Sequence, residues 1–92
     1  MDFQGKVVAI TGSLKPFERN DAIDFIQKKG AIYQNYVSSQ TDVLIIGHKQ
    51  LSLFEADYFS KKYEKAKMLQ SSGQKITFIN EEDFFNFIQG SL

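Results

Sequence analysis

Apolar residues in this chain fall into short blocks set off by glycines and polar clusters, and the blocks follow two rhythms. Val7-Val8-Ala9-Ile10 and Val43-Leu44-Ile45-Ile46 are unbroken runs, each stopped by a glycine or a small hydroxyl residue. Runs this short, rich in β-branched residues, read as strands buried on both faces. Ile76-Thr77-Phe78-Ile79 reads as a further strand. Ala31 to Val37 alternates loosely, which predicts a half-exposed strand with Ile32 on one face and Tyr33 on the other. The remaining blocks have helical spacing. From about Arg19 to Lys29, Ala22, Ile23, Phe25 and Ile26 form one apolar face, and Gly30 stands at the C′ position. A second helix is expected from about Ser60 to Ser71, with Tyr63, Ala66 and either Leu69 or its neighbour Met68 turned inward, closed by Gly73. Asn80 caps a last helix, Asp83 takes the capping-box position, and Phe84, Phe85, Phe87 and Ile88 supply the buried stripe. Residues 48–59 hold Leu51, Leu53, Phe54, Tyr58 and Phe59, too apolar a set for a free loop.

The resulting order, β-α-β-β-α-β-α, predicts an α/β fold. Helical crossovers favour parallel strands joined right-handedly, and a four-stranded parallel sheet in the order 2-1-3-4 satisfies both preferences. It also places the two most uniformly apolar strands, the first and third, in the middle. Their following helices leave in opposite directions, so a topological switch point falls between them, where open α/β sheets tend to bind ligands.

Candidate chemistry gathers at that point. Thr11-Gly12-Ser13 ends the first strand in a turn able to present backbone N–H groups to an oxyanion. Lys61 and Lys62 sit in what should be the first turn of the second helix, where cations oppose the helix dipole at about 0.3–1 kcal/mol each. A bound anion would remove that penalty. Residues 60–70 contain Lys61, Lys62, Lys65 and Lys67 against Glu64 alone. The chain as a whole is nevertheless neutral, with 11 basic and 11 acidic residues, which argues against non-specific coating of a polyanion. Ninety-two residues are enough for one domain, taken as residues 1–92. The absence of cysteine rules out disulfides and thiolate metal sites and fits a reducing cytoplasm. No apolar run approaches the length of a membrane span. Glu81-Glu82-Asp83 is explained by the helix start it occupies, with no metal required. His48 has no partner at ligand spacing and reads as a loop residue. With no nucleophile–base pair, metal cluster or GxxxxGK loop, neither catalytic residues nor a cofactor is expected.

These residues carry a resemblance to the BRCT domain. Gly5-Lys6-Val7 through Ile10-Thr11-Gly12 resembles its opening strand and loop, and Gly30-Ala31 stands where the family usually has a paired glycine. Thr41-Asp42-Val43-Leu44-Ile45 resembles its third strand, Lys62-Tyr63-Glu64-Lys65-Ala66 its K-Y-x-x-A helix, and Glu82-Asp83-Phe84 the lead into its last helix. The likeness runs from about residue 4 to residue 89. Within the family the chain is most similar to the single BRCT domains of bacterial NAD-dependent DNA ligases and of the large clamp-loader subunit. Phe84 and Phe85 stand where eukaryotic repair proteins commonly have tryptophan, and the Gly47–Ser60 connection is longer than usual for the ligase-like branch.

The resemblance implies a three-layer fold and a non-catalytic module for DNA repair or replication. It would bind a 5′-phosphate at nicks, gaps or recessed ends, as part of, or accessory to, a ligase or exonuclease. Carried over by position, the phosphate site is Thr11, Gly12, Ser13, Arg19 and Lys62, with Lys15, Lys61 and Lys65 as further DNA contacts. Thr11 would offer its hydroxyl, Gly12 its N–H, Arg19 a fork of donors and Lys62 a point charge. The expected location is cytoplasmic, at the nucleoid in a bacterium. The alternative implied function is a protein-interaction domain that binds a phosphopeptide, another BRCT domain, or a repair or replication enzyme. Leu53, Phe54 and Tyr58 would then be the partner surface.

Overall fold

The computed structural model describes residues 3–12, 18–47 and 61–91. Among them lie four strands, β1 (Val7–Thr11), β2 (Ile32–Tyr33), β3 (Val43–Ile46) and β4 (Thr77–Asn80). Three helices accompany them, α1 (Arg19–Lys28), α2 (Lys61–Ser71) and α3 (Glu81–Ser91). All strand pairs are parallel, and the sheet order is β2-β1-β3-β4, as expected.

The two apolar runs occupy the centre because each has both faces covered. Side chains alternate across a strand, so Val8, Ile10, Val43 and Ile45 pack with Ala22 and Ile26 of α1 and with Phe84 and Ile88 of α3. On the other face, Ala9 and Leu44 meet Ala66 of α2 together with Val37 and Ile76. The sheet is thus a middle layer, with α1 and α3 on one side and α2 on the other. Rings from three segments close the first side: Phe3 stands edge-on to Phe87 with centroids 4.8 Å apart, and Phe25 to Phe84 at 6.2 Å.

Helix ends follow the local sequence. Gly30, at φ +93°, lets Ala31 N–H reach Ile26 C=O at 3.0 Å and Gly30 N–H reach Gln27 C=O at 2.9 Å, the Schellman closure of α1. A Cβ on Gly30 would also lie 3.1 Å from Gln4 Cγ. α2 ends the same way, with Gln74 N–H on Leu69 C=O at 3.0 Å. At the start of α3 the Asn80 side-chain oxygen accepts the Asp83 N–H at 2.8 Å, which is the expected cap.

Asp42 fastens the strands at their amino ends. Its carboxylate accepts Val7 N–H at 2.9 Å, its own N–H donates to Val7 C=O at 2.8 Å, and its C=O accepts Thr77 N–H at 2.9 Å. Gln74 ties the turn before β3 by donating to the Ser38 and Thr41 carbonyls at 3.0 and 2.9 Å.

One feature differs from the sequence reading, and one choice it left open is settled. β2 is only Ile32–Tyr33, far shorter than the Ala31–Val37 alternation suggests, because the chain leaves the sheet to bury Val37 beneath it, against the α2 side. Of the neighbours Met68 and Leu69, Leu69 packs inward and Met68 is 64% exposed.

Candidate functional site

The shortness of β2 creates the site. Carbonyls along a strand point alternately to its two edges. On the β2 side of β1, Lys6 C=O accepts Ile32 N–H at 2.8 Å and Val8 C=O accepts Gln34 N–H at 3.0 Å. On the β3 side, Val7 and Thr11 carbonyls accept Asp42 and Gly47 N–H groups, each at 2.8 Å. Ile10 C=O is the next acceptor on the β2 side, and β2 has already ended. Two cations take its place. Lys62 Nζ donates to it at 2.8 Å and Arg19 Nη1 at 3.0 Å. Arg19 Nη2 donates at 2.9 Å to Gly12 C=O, the following carbonyl on the same edge.

Arg19 opens α1 and Lys62 lies in the first turn of α2, so the cations arrive from opposite faces of the sheet. They converge on one neutral carbonyl dipole. Among the described residues, no carboxylate pairs with either. The Lys62 ammonium is held below the ordinary lysine pKa, first by burial and then by the Arg19 charge. Each cation keeps spare donors, because an ammonium has three N–H groups and a guanidinium five. Among the described residues, one is used on Lys62 and two on Arg19. Gly12 has φ +87°, and its N–H has no hydrogen-bond partner among the described residues. Among the described residues, the notch at the carboxyl end of β1 is therefore rich in donors and in positive charge that no carboxylate pairs. Such a site suits an oxyanion.

Of the residues read from the sequence, Gly12, Arg19 and Lys62 come together here. Thr11 closes β1 opposite Ile46 and is 4% exposed. Lys61 and Lys65 are exposed on α2, four residues apart and so on one helix face. Lys67 lies elsewhere on α2, its ammonium 6.0 Å above the Tyr63 ring. Ser13, Lys15, Leu53, Phe54 and Tyr58 lie outside the described residues, as does His48. Nothing in the sequence marks the Ile10 carbonyl, on which the site is centred, because backbone acceptors carry no residue signature. Among the described residues, no group of acidic or histidine side chains is placed to hold a metal, and no helix is long and apolar enough to cross a membrane.

Comparisons with known proteins agree with this architecture. The chain is 40% identical over 86 residues to a DNA ligase of Thermotoga maritima, which covers 94% of the chain and 10% of the ligase. It is equally similar to a DNA ligase of Clostridium novyi, at 40% over 86 residues, covering 94% of the chain and 11% of that protein. The chain thus spans about a tenth of the length of these relatives. The fold matches the structure of the C-terminal BRCT domain of human XRCC1 with a TM-score of 0.65 and 17% identity, over 98% of this chain and 81% of that one. The family model for the BRCA1 C Terminus (BRCT) domain matches residues 1–88. With nearly its whole length matched in sequence and its sheet order and layers matched in structure, the chain belongs to the BRCT domain family.

Proposed function

We propose that this domain is a non-catalytic DNA-binding module that holds a terminal 5′-phosphate at a nick, gap or recessed end. The supporting observation is the convergence of Arg19 and Lys62 on the Ile10 carbonyl, two positive charges meeting one uncharged acceptor. A terminal phosphate carries about −1.5 to −2 charges near pH 7 and several acceptor oxygens. A phosphodiester in the backbone carries only one charge. The notch therefore favours an end over the interior of a strand. Arg19 would present its fork, Lys62 its point charge and Gly12 its N–H, and the exposed Lys61 and Lys65 would meet the adjoining backbone. The similarity to DNA ligases favours DNA as the carrier of that phosphate, with the module working in, or beside, a ligase or exonuclease.

The test is fluorescence anisotropy with recessed duplexes that differ only in a 5′-phosphate or 5′-hydroxyl. Tighter binding of the phosphorylated duplex is expected, with the difference lost in Lys62→Glu. Equal affinities in the unsubstituted protein, or no loss in that variant, would overturn the assignment. An amide-shift titration adds the other arm: perturbation of Gly12, Arg19 and Lys62 by a phosphoserine peptide but not by DNA would instead establish a protein-interaction domain.

A further inference from the structure

We propose that the free edge of β4, with the cavity beside it, docks an extended segment of a partner protein that carries a bulky apolar side chain and, two residues away, a lysine or arginine. This surface is separate from the phosphate notch, which lies on the β2 side of the sheet, whereas β4 forms the other edge. Thr77 faces β3, since its N–H donates to Asp42 C=O at 2.9 Å. Main-chain groups alternate in direction along a strand, so Ile76, Phe78 and Asn80 turn theirs outward. The outward Ile76 C=O is already closed by Gln70 Nε2 at 2.7 Å. Asn80 C=O belongs to the start of α3. That leaves the Phe78 N–H and C=O and the Asn80 N–H without partners among the described residues. Thr77–Asn80 contains no proline or charged residue, the usual guards of an exposed edge. A strand laid along β4 would pair with these groups.

A cavity of about 240 Å³ adjoins the same strand. Phe3, Ile79 and Phe84 line it as buried residues, and Thr77 and Asp83 line it as exposed ones. Ile79 belongs to the cluster beneath α1 and α3. Residues directly opposite each other on paired strands share a face, so those opposite Thr77 and Ile79 would point to the cavity side. An apolar cavity of about 150 Å³ already holds benzene, and small-molecule pockets begin near about 300 Å³. The volume therefore suits one bulky apolar side chain. Charge sets its neighbour. Asp83 and Glu82 are exposed in the first turn of α3, and among the described residues no cation pairs with Asp83. Residues two apart on an extended chain lie on one face, about 7 Å from each other. A cation at that spacing from the buried side chain meets the acidic turn. The same turn repels a nucleic-acid backbone, which makes the partner a protein. A second copy of this chain fits poorly, because on that face its own β4 offers only Thr77 and the already buried Ile79.

The probe is a capped heptapeptide with phenylalanine at its centre, arginine two residues to either side and threonine elsewhere, titrated into the isotope-labelled chain. Amide shifts are expected at Phe78, Asn80, Asp83 and Phe87, with none at Gly12. Solvent exchange should slow for the Phe78 and Asn80 amides. Those of Thr77 and Ile79 already face β3, so new protection at alternate residues is the signature of strand addition. Alanine for the peptide's phenylalanine should weaken binding at least tenfold, the scale of burying such a side chain. Asp83→Lys should weaken it about fivefold, the upper range for an exposed ion pair, while phosphate discrimination on DNA stays unchanged. Absence of shifts at millimolar peptide, or equal binding of the alanine peptide, would overturn the proposal and leave the end-binding reading standing. Protection of Phe78 and Asn80 that rises with protein concentration alone would also overturn it, making a second copy the occupant.

Discussion

Replacing Lys62 by methionine separates a ligand-binding lysine from a structural one. In the free protein, Lys62 Nζ and Arg19 Nη1 lie 2.8 and 3.0 Å from one oxygen, so they are no more than about 6 Å apart. Two like charges at that distance repel by about 3 kcal/mol at an effective dielectric constant of 20 and about 0.7 kcal/mol in bulk water. Arg19 is exposed, so solvent screening brings the value towards the lower end, about 1 kcal/mol. Lys62→Met removes this repulsion and one hydrogen bond, but Ile10 C=O keeps Arg19 and is not orphaned. The methionine stem preserves most of the lysine packing. Folding stability should therefore change by less than about 1 kcal/mol, because each effect is of that order and they oppose. Phosphate binding has no such compensation. Loss of a hydrogen bond to a charged group, about 1.5–3 kcal/mol, corresponds to roughly 10- to 150-fold weaker binding. Urea unfolding and anisotropy with the phosphorylated duplex measure the two quantities on the same samples. A loss of stability near 3 kcal/mol with phosphate discrimination intact would refute the reasoning and make Lys62 a strut for the β1 end.

Affinity for the phosphorylated duplex should rise from pH 5 as the phosphate gains its second charge near pH 6, then fall in alkaline solution as Lys62 deprotonates. Because the Lys62 pKa is lowered in the free protein, that fall should begin earlier than for an ordinary lysine, and Lys62→Arg should remove it. In the free protein the same shift has the opposite sign. The unfolded chain holds the Lys62 proton more tightly, so this group's contribution to stability grows as pH rises through the lowered value. The salt dependence of phosphate-specific binding should be shallow, a log–log slope of about −2 if only Arg19 and Lys62 neutralise charge; a slope several times steeper would mean that a broad lysine surface dominates. Asn80→Ala should cost about 1 kcal/mol by uncapping α3, read as a melting temperature about 4–8 °C lower, with phosphate discrimination unchanged.

The sequence exposes those parts of this molecule that rest on local rules. Apolar runs identify β1 and β3, helical spacing identifies α1 and α3, and the Asn80 cap and Gly30 closure are written in single residues whose geometry they determine. Gly12, Arg19 and Lys62 are legible because the family resemblance carries them and topology brings both helix starts to one sheet edge. The rest depends on relations between distant segments. Nothing between Ala31 and Val37 says that pairing ends at Tyr33, because that boundary reflects competition between a ladder bond and the burial of Val37 against the α2 side. Asp42 resembles any strand-leading acid, yet its carboxylate serves the N–H of Val7, 35 residues away. Met68 and Leu69 are both apolar, and only the docked position of α2 decides between them.

The early end of β2 has an evolutionary consequence. An insertion that let this edge strand run two residues farther would bring a main-chain amide to the Ile10 carbonyl and displace Lys62 and one arm of Arg19 from it, closing the recess while leaving Gly12, Arg19 and Lys62 unmutated. Strand length, and not only residue identity, would then set whether descendants of this scaffold keep an anion or give it up.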